Sequence, residues 1–209
     1  MRRILATAAA ALALAAPCAQ AMTVGLFFDS DTGFTNVDAA IAFATGREAD
    51  AWFDSSAIDY PRGSGVLDST DTLAAFLGDD AASLSGGGGR RMETSVTVFR
   101  GWLDLGIGPQ LFEVGSDDGF ALTVGGSEIS RFSKNRAFRT TSVMVDAGAG
   151  LTPFELVAYE NRGRTGVRFA VDGQTVTGVA PPAAIPLPAT APLAILALGA
   201  MWLLRRRRA

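Results

Sequence analysis

Leu111-Phe112-Glu113-Val114-Gly115-Ser116-Asp117-Asp118-Gly119-Phe120-Ala121-Leu122-Thr123-Val124 is the stretch whose reading decides the fold. Phe112 and Val114 alternate with other residues before the Ser-Asp-Asp-Gly sequence, and Phe120, Leu122 and Val124 alternate after it. A period of two puts each set on one face of a strand. The pattern continues outward in both directions. Phe99, Gly101, Leu103 and Leu105 share a face upstream, and downstream come Val143 and Val145, Phe154 and Leu156, then Val167, Phe169 and Val171. Gly, Asp and Asn clusters break these runs every ~8 to 12 residues, the spacing of an antiparallel sandwich or barrel. The expectation is a mainly β chain built on an antiparallel β-sandwich.

The part before Thr94 reads differently. Asn36 can cap a helix whose Val37, Ala40, Ile41 and Ala44 fall on one face, with Gly46 as its stop. A second short helix follows Thr70, with Leu73, Phe76 and Leu77 together and Gly78 ending it. Strand-like pieces lie at 24–28 and 51–58, and the glycine run 86–89 reads as a loop. No strand leads into that run and no Lys-Ser/Thr follows, so it is not a phosphate-binding loop.

Both ends carry processing signals. Arg2 and Arg3, an apolar run from Ile4 to Ala16 and Ala19-Gln20-Ala21 predict a signal peptide over 1–21, cut by signal peptidase between Ala21 and Met22. At the other end Ile185-Pro186-Leu187-Pro188-Ala189 precedes an apolar run and four arginines, 205–208. The run predicts a membrane-spanning helix with the arginines cytoplasmic and the body outside. The expected organisation is a signal at 1–21, a body at 22–178, a Pro/Ala linker with the motif at 179–188, and an apolar helix with its Arg tail at 189–209. This tail resembles the PEP-CTERM sorting signals of Gram-negative bacteria, in the VPLPA-CTERM variant, with Ile185 where valine is usual. The resemblance implies cleavage near Pro186, Leu187, Pro188 and Ala189 by an exosortase-type membrane protease. It also implies delivery to the cell surface or an exopolysaccharide matrix. A plain single-span anchor is the alternative.

Composition narrows the chemistry. The chain has no histidine and a single cysteine, Cys18, which lies in the signal. Disulfides, histidine-ligated metals and Ser-His-Asp catalysis are therefore excluded from the body. Removing Arg2, Arg3 and Arg205 to Arg208 from 18 basic residues leaves 12 against 21 acidic ones, or −9. Such a body disfavours nucleic acid and anionic membranes as partners. No carboxylate pair is marked by spacing for glycoside hydrolysis, and no enzyme activity is expected.

Two readings of Gly115-Ser116-Asp117-Asp118-Gly119-Phe120 are open. In one it is a hairpin turn, with Gly119 at positive φ. In the other, adjacent carboxylates at a loop tip hold a calcium ion whose free positions take vicinal sugar hydroxyls. Asp29-Ser30-Asp31-Thr32-Gly33 begins like a calcium loop but has Ala40 at position twelve, and an Asx-turn is the better reading.

These residues also carry a family resemblance. Phe99-Arg100-Gly101-Trp102-Leu103, the run from Phe112 to Phe120, Val124-Gly125-Gly126, Pro153-Phe154-Glu155-Leu156 and Tyr159-Glu160-Asn161 resemble the protective-antigen-like (PA-fourteen) β-sandwich, over about Ser95 to Gly173. The resemblance implies a jelly-roll sandwich with two short helices, in which Asp117 and Asp118 are joined by a cis peptide and hold calcium. Asn161 is the expected third ligand. Trp102 and Tyr159 are the aromatics expected to stack on sugar, with Trp52 a further candidate; at strand positions each also suits the core. The implied function is calcium-assisted binding of glycan or exopolysaccharide. A structural or protein-interaction role in the matrix, with no sugar or calcium, is the alternative.

Overall fold

The computed structural model describes residues 23–178 apart from residue 64. The expected signal, linker, sorting motif and tail, with Ala21, Met22 and Pro186, Leu187, Pro188 and Ala189, lie outside them. Among the described residues no helix is long and apolar enough to cross a membrane.

Among the described residues twelve strands form two antiparallel sheets. In chain order they are β1 (Thr23–Asp29), β2 (Ala51–Ser55), β3 (Asp59–Tyr60), β4 (Leu67–Asp68), β5 (Ser95–Leu105), β6 (Gln110–Asp117), β7 (Phe120–Val124), β8 (Ser127–Phe132), β9 (Arg139–Val145), β10 (Gly150–Glu160), β11 (Arg164–Val171) and β12 (Gln174–Thr175). The first sheet runs β2-β1-β5-β10-β7-β8 and the second β12-β11-β6-β9, with β3 and β4 also paired to β11.

The period-two residues do what alternation requires. Phe99, Leu103, Leu105, Phe112, Val114, Phe120, Leu122, Val124, Phe154, Leu156, Val167 and Phe169 are all buried between the sheets. The sandwich also extends beyond the stretch that carried the alternation, because β1 pairs with β5 along its length and β2 with β1. In β1 both Phe27 and Phe28 are buried, which masks the alternation. Phe27 packs between the sheets; Phe28 faces outward beneath a helix.

That helix is α1 (Val37–Ala44), capped by Asn36, whose side chain accepts from Ala39 N at 2.9 Å. Its Val37 and Ala40 pack on Phe28, Val96, Val98 and Val157, outside the first sheet. The second helix, α2 (Leu73–Leu77), is capped by Thr72 and stops at Gly78, at φ +58. A glycine there turns the chain without the Cβ penalty of positive φ. Its Leu73, Phe76 and Leu77 close one end of the main core. The 86–89 glycines form a loop whose Gly88 carbonyl accepts from Ala74 N at 3.2 Å.

Candidate binding site at the sheet crossover

The Asp-Asp sequence is not a hairpin. β6 ends on Asp117 in the second sheet, and β7 begins on Phe120 in the first, so Asp118 and Gly119 carry the chain across the sandwich. The Asp117–Asp118 peptide is cis, as the family resemblance implies. Immediately after it the backbone joins β10: Asp118 N donates to Tyr159 O at 2.9 Å, and Tyr159 N donates to Gly119 O at 3.1 Å. Gly119 does not take positive φ. It is glycine because a Cβ would lie 2.6 Å from both Phe132 O and Tyr159 Cε1. Close approach, not turn geometry, sets this residue.

Both carboxylates are buried and held by main-chain donors. Asp117 Oδ2 accepts from Phe138 N at 3.1 Å, Asp118 Oδ1 from Arg136 N at 3.1 Å, and Asp118 Oδ2 from Asn161 N at 3.0 Å. The sequence does not announce that the 133–138 segment between β8 and β9 folds over the pair. Arg136 anchors it there. Its guanidinium donates to Ser116 Oγ and Thr141 Oγ1, each at 2.8 Å, and lies 4.2 Å from the Phe132 ring centre. Ser116 Oγ in turn donates to Asp118 O at 2.8 Å. Arg136 thus covers the crossover without pairing with either carboxylate.

Asn161 is beside Asp118, but through its backbone. Its side chain is committed to residue 34, with Oδ1 accepting from Phe34 N at 2.6 Å and Nδ2 donating to Phe34 O at 2.9 Å. Nδ2 also donates to Asn135 Oδ1 at 3.0 Å, and the Tyr159 hydroxyl donates to that oxygen at 2.9 Å. This Asn135–Tyr159–Asn161 knot ties the loop before α1, the 133–138 segment and the end of β10 into one wall.

Burial first, then the neighbouring Asp118 charge, push the Asp117 carboxyl up to about 6 against the pull of the Phe138 N–H, Arg136 and Arg164. Burial also raises Asp118, opposed by the Asn161 and Arg136 N–H groups. Two adjacent desolvated carboxylates without a cationic partner suit a hard divalent cation. Asp117 Oδ1 accepts no hydrogen bond from the described residues. Nor do three or more His, Cys, Asp or Glu gather around one point there, so any further ligands would be neutral oxygens.

The expected aromatics do not assemble here as platforms. Tyr159 is 2% exposed, its ring edge-on to Phe34 with centroids 6.0 Å apart, so it has no face for a sugar. Its strand position lies over α1, which is why it is core. Trp102 is half-buried and pairs with Pro153, six residues along β10 from Tyr159. At ~3.4 Å per residue that is ~20 Å from the aspartates, too far to share a ligand ring with them. Trp52 is 48% exposed, on edge strand β2. The Asp29 sequence makes a turn through Ser30, whose Oγ donates to Thr32 O at 2.8 Å and accepts from Thr32 N at 3.2 Å; Asp29 itself pairs with Arg90.

Similarity to solved structures follows the same lines. A PA14 sugar-binding domain from an RTX adhesin superposes with a TM-score of 0.64 at 25% identity, covering 76% of this chain and 95% of that one. The fold is PA14-like. The PA14 domain of the MpAFP antifreeze protein matches with a TM-score of 0.62 at 23% identity, over 76% of this chain and 86% of that one. The epithelial adhesin 6 A domain from Candida glabrata, solved with Galb1-3GlcNAc, shares the fold at 12% identity and a TM-score of 0.51, over 76% of this chain and 84% of that one. No family model matches the sequence, and no curated protein does.

Proposed function

We propose that the body is a non-enzymatic carbohydrate-binding module in which Asp117 and Asp118 hold a calcium ion. The observation that carries this reading is the crossover pair: two adjacent buried carboxylates, raised by desolvation, with no cationic side chain bonded to either. Calcium supplies a Lewis-acidic centre able to coordinate vicinal hydroxyls when bound. The chain's own residues orient the carboxylates through the Phe138, Arg136 and Asn161 N–H groups. The likeness to a sugar-binding PA14 domain over 95% of that domain supports the same reading.

The test uses the full chain on a glycan array and in a thermal melt. Calcium should raise Tm and give glycan signal, chelator should abolish both, and Asp118→Ala should lose both. Equal Tm and equal glycan signal in calcium and chelator would sink the idea.

A second reading has its own observation. Because three main-chain N–H groups already occupy the carboxylates, the pair can serve as a strut between the sheets with no ligand, leaving a structural or protein-interaction role. Under it Asp118→Ala loses stability equally with and without calcium.

The two ends place this body outside the cell in our reading, at a Gram-negative surface or in its exopolysaccharide, after signal peptidase and an exosortase-type protease have acted. Mass spectrometry of the native protein should find neither 1–21 nor 205–208. Retained arginines would make the tail an anchor only.

A further inference from the structure

Glu160 ends β10 on the strand face that also carries Phe154, Leu156 and Ala158, so its side chain points between the sheets. It is 2% exposed, and neither carboxylate oxygen has a hydrogen-bond partner among the described residues. A buried polar group is almost always partnered, so two orphaned oxygens on one carboxylate imply a missing species. The place for it is a small chamber of about 10 Å³ that Glu160 shares with Asp117, Ser95, Thr97 and Thr165. That is room for about one water-sized body.

The chemistry of the walls selects what fits. Every polar side chain named there is an oxygen donor, two of them carboxylates. Of the nearby cationic groups, Arg136 bonds Ser116 and Thr141, Arg162 pairs with Glu93, and Arg164 acts on Asp117 only through space. No guanidinium or ammonium among the described residues bonds Asp117, Asp118 or Glu160. A water could serve both Glu160 oxygens, but only of a carboxyl that keeps its proton, since burial and then the Asp118 and Asp117 charges raise it to about 10 when no cation is bound. A cation with hard-oxygen preference satisfies the oxygens and the charge together.

We propose that this chamber is a second, interior cation site, in which Glu160 and Asp117 hold one calcium-class ion between the sheets with hydroxyl oxygens completing its shell. It shares Asp117 with the crossover site but rests on Glu160, and so stands apart from the carbohydrate reading. Asp118 does not line the chamber.

Terbium is the probe, because Tyr159 next to Glu160 can sensitise its luminescence and the decay in H₂O against D₂O counts coordinated waters. With the full wild-type chain, a water-poor component should appear, and Glu160→Gln should remove it. With calcium, equilibrium dialysis should show Glu160→Gln lowering uptake by one ion per chain while the calcium-dependent glycan signal persists. Asp118→Ala should instead retain the water-poor component, even if the crossover reading is wrong and no glycan signal exists. Wild-type luminescence without a water-poor component would overturn the proposal, and this needs no variant to fold. So would a folded Glu160→Gln chain, checked by near-ultraviolet circular dichroism, that keeps the component unchanged.

Discussion

The main-chain N–H of Asn161 donates to Asp118 Oδ2 at 3.0 Å, and the same carboxylate accepts Arg136 N through its other oxygen at 3.1 Å. One side chain therefore holds the end of β10 and the 133–138 segment together. Asp118→Ala removes both acceptors and leaves two half-buried donors unpaired, each worth about 1–3 kcal/mol when orphaned. Urea unfolding in chelator should show a loss on the order of 2–4 kcal/mol. A loss below about 1 kcal/mol would mean that the segment is held by something else.

Gly119→Ala tests the close approach at the crossover. The new Cβ would meet Phe132 O, a main-chain atom, and the Tyr159 ring, which the Asn135 knot holds in place. Neither neighbour can yield cheaply. We expect destabilisation of about 3 kcal/mol, in the upper range for overpacking, seen as a lowered urea midpoint. A near-neutral change would show that the crossover backbone can shift.

Arg136 separates charge from shape. Its fork reaches two hydroxyls while its plane covers the Phe132 ring. Lysine keeps the charge but not the fork, so Arg136→Lys should destabilise by about 1–2 kcal/mol. Arg136→Ala, which also uncovers the rings, should cost about 1 kcal/mol more. Equal stability of wild type and lysine variant would reduce the residue to a charge.

Much of this fold was legible because alternation survives wherever a strand has one buried and one open face, as at the end of β5, where Leu103 and Leu105 are buried and Asp104 is exposed. It failed at β1, where α1 buries the second face and Phe27 and Phe28 both go inside. Short caps were readable: Asn36 and Gly78 act locally, within a turn of their own position. The Asp-Asp pair stood out by its composition, but its crossover role did not, since strands joined by two residues normally form a hairpin and only the pairing of Tyr159 with Gly119 reveals the change of sheet. Arg136 gave no signal, and Glu160 entered only as part of the run that carries the resemblance, with no role of its own. Each acts through contacts more than 15 residues away, Arg136 on Ser116 and Glu160 toward Asp117, and no local spacing encodes such contacts. Tyr159 and Trp52 read alike in the sequence but part in the structure, one into the core and one exposed, because α1 covers one end of the outer face and not the edge strand.

Tyr60 supplies a pH test away from the aspartates. It is fully buried against Phe53, Phe76 and Phe99, and its hydroxyl donates to Asp80 and accepts from Ser55 Oγ at 2.8 Å. Burial first, then the Asp80 hydrogen bond and charge, hold its hydroxyl well above the usual tyrosine range. The unfolded chain ionises this group near pH ~10, whereas the folded chain keeps the proton. The stabilisation is therefore full below pH ~10 and is lost as pH rises beyond it, by up to about 1.4 kcal/mol per unit. Tyr159 is raised as well, chiefly by burial, and these are the two tyrosines of the chain. Tyr60→Phe should thus roughly halve the fall in stability above pH ~10, at a cost of about 1–2 kcal/mol at pH ~8 from the unpaired Ser55 and Asp80. Urea midpoints measured between pH ~8 and ~11 read both effects. If the phenylalanine variant keeps the full wild-type slope, ionisation of Tyr60 is not what unfolds the protein in alkali.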